Sequence, residues 1–148
     1  MQKIYLAGPL FCKSEKEYNL ALAHLLEDAG YSVFLPQRDG YEAAKLQGES
    51  ETEKAKMTFN KDISEIINSD IFFMVLDGRV PDEGACVELG FAYANKKRCY
   101  GIKSDVRSLE LGMDLNPLIA GCFKKIFYNA DGDAMFEEMK MFLAGQML

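Results

Sequence analysis

The sequence predicts an α/β fold in which a five-stranded parallel sheet, with strand order 2-1-3-4-5, carries helices on both faces. Short apolar segments alternate with longer segments of helical period along the whole chain, which is typical of βα units. The third apolar segment, residues 71–76, is apolar throughout, as expected of a strand buried on both faces. Right-handed crossovers then favour the doubly wound, flavodoxin-like order within one domain spanning residues 1–148.

The first βα unit is predicted at the start of the chain. Residues 3–7 form an apolar strand, and the loop of residues 8–11 follows it. A helix is predicted over residues 14–29 from its helical spacing of apolar side chains. Ser14 and Glu17 have the spacing of a capping box, so we expect this helix to begin at Ser14.

The remaining elements continue this alternation. Four further strands are predicted at residues 31–35, 71–76, 98–102 and 124–128. The second predicted helix ends at residue 68, the third begins near residue 84, and the last spans residues 131–143. The second helix begins between residues 50 and 56, and its expected buried stripe consists of Phe59, Ile63, Ile66 and Ile67. Residues 36–41 are predicted as a polar loop. The connection of residues 103–121 has no period of its own, and long connections of this kind usually serve a functional site or an interface.

Composition limits the classes of function. The formal net charge is −6 and basic side chains do not cluster, which argues against nucleic-acid partners and an anionic membrane surface. The four cysteines form no Cys-x-x-Cys pair and there is one histidine, so we expect no metal site. No signal peptide precedes the first strand and no apolar run reaches the length of a membrane span, so the expected location is cytoplasmic.

Carboxylates concentrate where the third strand passes into the third helix. Asp82, Glu83 and Glu88 lie at this crossing, and ligands of open α/β sheets bind at the carboxyl ends of strands. Glu88 lies about one turn into the helix, where backbone N–H groups favour a negative charge. An ionised carboxylate in a concave site can serve as a nucleophile.

Familiar phosphate and protease motifs are missing from the sequence. It has no Gly-x-Gly-x-x-Gly after the first strand, no Walker loop and no Ser/His/Asp set. What remains around the predicted crevice is a group of polar side chains, namely Tyr5, Asp39, Asp62, Asp82, Glu83 and Glu88. Paired carboxylates suit the cleavage of a glycosidic bond. Helical spacing alone leaves the alternative that Asp62 is a solvated surface charge.

With these residues in view, the sequence resembles the nucleoside 2-deoxyribosyltransferase family and its relatives, the 2'-deoxynucleoside 5'-phosphate N-hydrolases. Four segments carry the resemblance: Ile-Tyr-Leu-Ala-Gly-Pro-Leu-Phe at 4–11, Asn-Lys-Asp-Ile at 60–63, Asp-Glu-Gly-x-x-x-Glu-Leu-Gly-x-Ala at 82–92 and Asn-Pro-Leu-Ile at 116–119. They occur in order on the expected elements, and the resemblance covers nearly the whole chain.

The resemblance implies a role for each matching side chain. Glu88 matches the nucleophile that takes the deoxyribosyl group as a covalent ester, and Tyr5 matches the tyrosine that orients this glutamate. Asp62 matches the aspartate that exchanges a proton with the departing and incoming bases. Asp82 matches a residue that binds sugar hydroxyls, and Asn116 matches an asparagine supplied by a neighbouring subunit of a homo-oligomer.

Four further substrate-binding residues are expected on two loops. Gly8 and Phe11 belong to the first loop, and Gln37 and Asp39 to the loop that borders the base in such enzymes. The first loop is apolar and favours a free nucleoside, whereas Lys13 and Ser14, which follow closely, leave a 5'-monophosphate as an alternative substrate. The implied chemistry needs no cofactor, and the implied partners are deoxynucleosides and free nucleobases.

Three functions follow in order of preference. The first is transfer of 2-deoxyribose between nucleobases, and the second is hydrolysis of 2'-deoxynucleosides or their 5'-monophosphates. The third is a non-catalytic nucleotide-binding module, since a fold alone does not define an activity. The joint presence of Tyr5, Asp62, Asp82 and Glu88 argues against the third.

Overall fold

The structure is a computed structural model that describes residues 1–41, 48–107 and 115–145. Within these residues, strands and helices alternate from the first strand to the last helix. The strands are β1 (Lys3–Ala7), β2 (Ser32–Phe34), β3 (Ile71–Val75), β4 (Arg98–Lys103) and β5 (Lys125–Tyr128). The helices are α1 (Lys13–Asp28), α2 (Pro36–Asp39), α3 (Glu51–Ile67), α4 (Glu83–Ala94), α5 (Pro117–Ala120) and α6 (Gly132–Gly145).

The five strands form one sheet in the order β2-β1-β3-β4-β5, and every pair is parallel. The predicted fold class and strand order are therefore confirmed. Tyr5 of β1 lies opposite Phe34 of β2 and Phe72 of β3. The chain changes its direction of winding between β1 and β3, so the loops after these two strands open a crevice at one edge of the sheet.

Side chains of the sheet alternate between two cores, as the pleat requires. Ile4 and Leu6 of β1 pack into a core with α1 and α6. Tyr5 and Ala7 point to the opposite face, into a core with α3 and α4. The sheet is thus covered on both faces, and the Tyr5 side is the side on which α3 and α4 meet.

The start of α1 differs from the predicted cap. The helix begins at Lys13 and its N-cap is Cys12. Glu15 accepts the backbone N–H groups of Phe11 and Cys12 at 2.8 and 2.9 Å. Glu15 therefore closes the helix in the position that the sequence analysis gave to Glu17, because the helix begins earlier than Ser14.

The predicted apolar stripe of α3 is largely wrong. Ile66 is buried, but Phe59 is 58% exposed and Ile67 50% exposed. A helix of 17 residues is about 25 Å long, whereas a five-residue strand spans about 17 Å, so α3 extends past the strands that it covers. Its first half consequently lies at the surface of the chain.

Two short helices lie in segments predicted without regular structure. The predicted polar loop of residues 36–41 contains α2, which begins at Pro36, and the long connection contains α5, which begins at Pro117. Proline suits the first helical position because its fixed φ is already helical and its missing N–H has no partner to lose there. The part of the long connection at residues 108–114 lies outside the described residues.

Candidate active site

A tyrosine and a glutamate are joined at the crevice edge of the sheet. The hydroxyl of Tyr5 donates a hydrogen bond of 2.6 Å to Oε1 of Glu88. Tyr5 is fully buried, and its ring is stacked between those of Phe34 and Phe72, with centroid separations of 5.4 and 5.6 Å. The two aromatic neighbours fix the ring, so the hydroxyl is held in place before any ligand binds.

The start of α4 places Glu88. Asp82 is the N-cap of this helix, and its Oδ2 accepts the N–H of Ala85 at 2.8 Å. The stripe of α4 that faces the sheet is buried and consists of Ala85, Leu89 and Ala92. Glu88 lies on one flank of this stripe, where its side chain reaches across to β1.

Burial is the largest influence on the pKa of Glu88. It raises the pKa of this carboxyl to about 7, and the hydrogen bond from Tyr5 opposes the rise. The negative charges of Asp62 and Asp82 add to it. The helix start alone favours the ionised form. Burial in the folded site favours the neutral form, so the two forms are balanced near neutral pH.

A second carboxyl, Asp62 on α3, approaches the same tyrosine. Burial raises the pKa of Asp62, and hydrogen bonding with Tyr5 and the positive charge of Lys61 oppose the rise. Burial together with the nearby charges of Glu88 and Asp62 raises the pKa of the Tyr5 hydroxyl well above its usual range. Asp62 can thus hold a proton at a higher pH than an ordinary aspartate does.

The lysine next to Asp62 has another partner. Lys61 donates to Glu65 one turn further along α3 at 2.8 Å, and Lys3 from β1 pairs with the same carboxylate. The Nζ atom of Lys61 also lies 5.5 Å from the centroid of the Phe34 ring. Because these contacts hold Lys61, its charge acts on Asp62 only from a distance.

A cavity of about 500 Å³ opens beside Asp62. Its lining residues come from the first loop, α1, α2 with the residues after it, and α3, and they are Leu10, Lys16, Pro36, Gln37, Gly40, Tyr41, Thr58 and Asp62. A volume of this order suits a small organic ligand. Gln37, a predicted substrate-binding residue, therefore shares one cavity with Asp62.

Two other predicted residues have structural surroundings of their own. Gly8 lies against β3 so closely that an added Cβ would be 2.8 Å from Cβ of Val75, which restricts the position to glycine. The carboxylate of Asp39 accepts the N–H of Leu35 at 2.8 Å and pairs with Arg38. Asp39 does not line the cavity beside Asp62, so the chain itself uses its charge.

The last two predicted residues lie at the surface. The side chain of Phe11 is 76% exposed. Asn116 caps α5, where its Oδ1 accepts the N–H of Leu118 at 2.9 Å. The groove between α4 and α5 is lined by Cys86 and Tyr93 among others, which lie on the flank of α4 away from Glu88. Asn116 of the same chain is therefore across α4 from the carboxyls.

Sequence reasoning missed Asn19. It is 2% exposed, and its Nδ2 donates to the carbonyl of Pro9 at 2.8 Å and to Oε1 of Gln37 at 3.1 Å. A signal for it existed, since Asn19 is a polar residue one turn before Leu22 on the buried stripe of α1. A polar side chain in that position needs hydrogen-bond partners.

Two further findings concern only residues 1–41, 48–107 and 115–145. No three His, Cys, Asp or Glu side chains of these ranges are grouped so that they could hold a metal ion. In the same ranges, no helix has the length and apolar character needed to cross a membrane.

Fold and site together define a flavodoxin-like domain with two half-buried carboxyls beside one tyrosine at the switch point of the sheet. The family model of nucleoside 2-deoxyribosyltransferase matches residues 4–145 of this chain. The chain belongs to that family, whose members are enzymes that act on nucleosides and nucleobases. A search of curated protein sequences gives no significant match.

Solved structures agree with this assignment. A conserved protein from Enterococcus faecalis V583 is 25% identical, with a TM-score of 0.75 and coverage of 96% of this chain and 99% of the other. A 2-deoxyribosyltransferase from Bacillus psychrosaccharolyticus is 24% identical, with a TM-score of 0.74 and coverage of 93% and 90%. The CMP N-glycosidase BcmB from Clostridium botulinum is 18% identical, with a TM-score of 0.64 and coverage of 95% and 99%. The last two likenesses are evidence of fold.

Proposed function

We propose that this protein transfers 2-deoxyribose between nucleobases through a covalent ester on Glu88. The observation that carries the proposal is the position of the Tyr5 hydroxyl, which donates to Glu88 at 2.6 Å and also lies beside the carboxyl of Asp62. One carboxyl is thereby held for attack, and the other is placed to handle a proton. Such a pair suits a substitution at an anomeric carbon.

In the first step, a carboxylate oxygen of Glu88 bonds to C1' of the deoxynucleoside as the bond from C1' to the base nitrogen breaks. The electron pair of that bond leaves with the base, and Asp62 gives the base a proton. Tyr5 occupies Oε1 of Glu88, which leaves Oε2 for the attack. The products are a free nucleobase and a deoxyribosyl ester.

In the second step, a nitrogen of another base attacks C1' and the ester bond breaks. Asp62, now ionised, removes the proton from that nitrogen, and the Glu88 carboxylate is restored. Both steps pass through a positively charged, oxocarbenium-like state. The carboxylates of Glu88 and Asp82 lie close enough to interact, and their charges favour that state.

The site supports a free nucleoside as substrate rather than a 5'-monophosphate. The backbone N–H groups at helix starts are the groups that bind phosphates. At α1, the N–H groups of Phe11 and Cys12 are already bound by Glu15. At α4, Asp82 accepts the N–H of Ala85. The carboxylates of Glu15 and Asp82 therefore lie beside these N–H groups, and their negative charges would repel a phosphate.

The same proposal includes a homo-oligomer in which Asn116 completes the sugar site of a neighbouring subunit. Asn116 is exposed, and α5 packs against the flank of α4 away from Glu88. Leu118 beside it is 84% exposed, and Val87 on the outer face of α4 is 66% exposed. A second copy that covers these side chains would remove their apolar surface from water.

Hydrolysis is the second candidate, because water can attack the same ester. A non-catalytic role is less consistent with two carboxyls of raised pKa around one tyrosine, since such perturbed groups cluster at catalytic sites. Transfer and hydrolysis differ only in the nucleophile of the second step, so product analysis separates them.

The test is incubation with a deoxynucleoside, with and without a second free base, followed by chromatography. Transfer predicts a new deoxynucleoside, whereas hydrolysis alone predicts free deoxyribose in both samples. Glu88→Gln keeps the size of the side chain and removes the nucleophile, so turnover should fall by about 10³-fold or more. Glu137→Gln on α6, at the other face of the sheet, is the matched control. Unchanged turnover by Glu88→Gln contradicts the proposal.

A further inference from the structure

Asn19 is a buried amide that the chemistry above does not use. It lies on α1 and joins the first loop to α2, since Nδ2 donates to the carbonyl of Pro9 at 2.8 Å and to Oε1 of Gln37 at 3.1 Å. Its own Oδ1 is buried without a hydrogen-bond partner among the described residues. An unpaired buried oxygen destabilises the fold, so the two donated bonds are the favourable contribution of an amide at this position.

Two backbone carbonyls fix the orientation of both amides. The carbonyl of Pro9 can only accept, so the Asn19 atom beside it is the NH₂ group. The carbonyl of Lys16 likewise accepts from Nε2 of Gln37 at 2.8 Å. Asn19 Nδ2 donates its second hydrogen to Oε1 of Gln37. The donated hydrogen bonds therefore run outward from Asn19, to the Pro9 carbonyl on one side and through Gln37 to the Lys16 carbonyl on the other.

This direction decides what Gln37 can offer a ligand. Its Oε1 is engaged by Asn19, and one hydrogen of its Nε2 is donated to Lys16. The remaining Nε2 hydrogen has no partner among the described residues, and Gln37 lines the same cavity as Asp62. Because Oε1 already accepts one hydrogen bond, the unpaired Nε2 hydrogen is the group of Gln37 that a ligand in that cavity would newly satisfy.

We propose that Asn19 is a positioning residue for base specificity, which holds the Gln37 amide so that it donates a hydrogen bond to the nucleobase. The preferred bases carry a hydrogen-bond acceptor at the exocyclic position, as 6-oxopurines and 4-oxopyrimidines do. A base with an amino group there presents a second donor to Gln37 and binds more weakly. The inference rests on the proposed function, because it takes the Asp62 cavity as the base site.

The experiment measures equilibrium binding of hypoxanthine and adenine by calorimetry, because these purines differ in the 6-oxygen and the 6-amino group. Wild-type protein should bind hypoxanthine about threefold to tenfold more tightly, the range expected for one hydrogen bond. Asn19→Leu keeps the approximate volume and removes both donors, so the ratio of the two Kd values should approach one. Asn95→Leu, at an exposed amide after α4, should leave the ratio at the wild-type value.

A purely structural role for Asn19 would weaken both bases by the same factor. An unchanged Kd ratio in Asn19→Leu therefore overturns the inference, as does a wild-type preference for adenine or the absence of binding of either base. In a Gln37→Leu background, the Asn19 substitution should have no further effect on the ratio. If Asn19→Leu does not fold, Asn19→Ala provides the test, because it removes both donors with a smaller side chain and should likewise bring the ratio of the two Kd values towards one.

The two proposals fail separately. Selective binding of hypoxanthine by wild-type protein that is lost in Asn19→Leu, without any new deoxynucleoside or deoxyribose, would contradict the proposed function and support the role of Asn19. Turnover by wild-type protein, together with an unchanged Kd ratio in Asn19→Leu, would support the proposed function and contradict the role of Asn19.

Discussion

Opposing effects meet at the Glu88 side chain. A nucleophile has to be ionised, but burial raises the pKa of Glu88 to about 7, and the charges of Asp62 and Asp82 add to the rise. The hydrogen bond from Tyr5 favours the ionised form and limits the rise. The proposed nucleophile is therefore kept in an environment that disfavours its own charge, which is a common feature of catalytic carboxyls.

This arrangement predicts a pH-dependent stability. Folding raises the pKa of Glu88 from 4.5 to about 7, so between these values the folded protein binds more protons than the unfolded chain. The free energy of unfolding must then fall as pH rises through this window. Between pH 5 and pH 8, wild-type protein should lose about 2 kcal/mol relative to Glu88→Gln, which does not titrate.

Urea denaturation of the two proteins at several pH values measures this difference. The matched control is again Glu137→Gln, which should follow the wild-type curve because Glu137 is exposed on α6. A constant difference between wild-type protein and Glu88→Gln across the window would show that the folded protein does not raise the pKa of Glu88.

Among the elements, the sheet was the most predictable part. Uninterrupted apolar strands such as residues 71–75 and their alternation with helical segments sufficed for the topology. The start of α1 was mispredicted because Ser14 and Glu17 have the same spacing as the pair that closes the helix, Cys12 and Glu15. Local spacing does not select between two such registers when they lie two residues apart.

The carboxyls of the site were predictable from the sequence to different degrees. Glu88 lies at a strand–helix crossing, where any open sheet binds ligands. Asp62 needed the family resemblance, because its helical position also suits a surface charge. Burial of α3 was overestimated for Phe59, since periodicity does not reveal that a helix extends past its strands, and for Ile67, which is exposed at the last residue of the helix. The Asn19–Gln37 contact joins α1 to α2 and depends on tertiary packing.

Within one copy of the chain, the predicted site residues do not all lie together. Tyr5, Asp62, Asp82 and Glu88 meet within the chain, whereas Asn116 lies beyond α4. Exposed apolar side chains on the same side of the sheet, such as Val87 and Leu118, offer a surface for a second copy. In the proposed enzyme, Asn116 of a second copy would complete the site.

Subunit mixing tests this assembly. Glu88→Gln and Asn116→Ala are each expected to be inactive, but a mixed dimer has one site with wild-type Glu88 and wild-type Asn116. Co-refolding equal amounts should restore about a quarter of wild-type activity, because about half of the dimers are mixed and each has one intact site. Glu88→Gln mixed with Asp62→Asn is the control and should remain inactive, since both residues belong to one subunit. An inactive first mixture would contradict the role of Asn116.

Mass spectrometry of the quenched enzyme detects the proposed covalent ester on Glu88. Wild-type protein is mixed with a deoxynucleoside in the absence of a second base, quenched rapidly with acid and digested. We predict one added deoxyribosyl group on the peptide that contains Glu88, and no such addition in Glu88→Gln. A deoxyribosyl group on any other residue, or continued turnover by Glu88→Gln, would contradict the account.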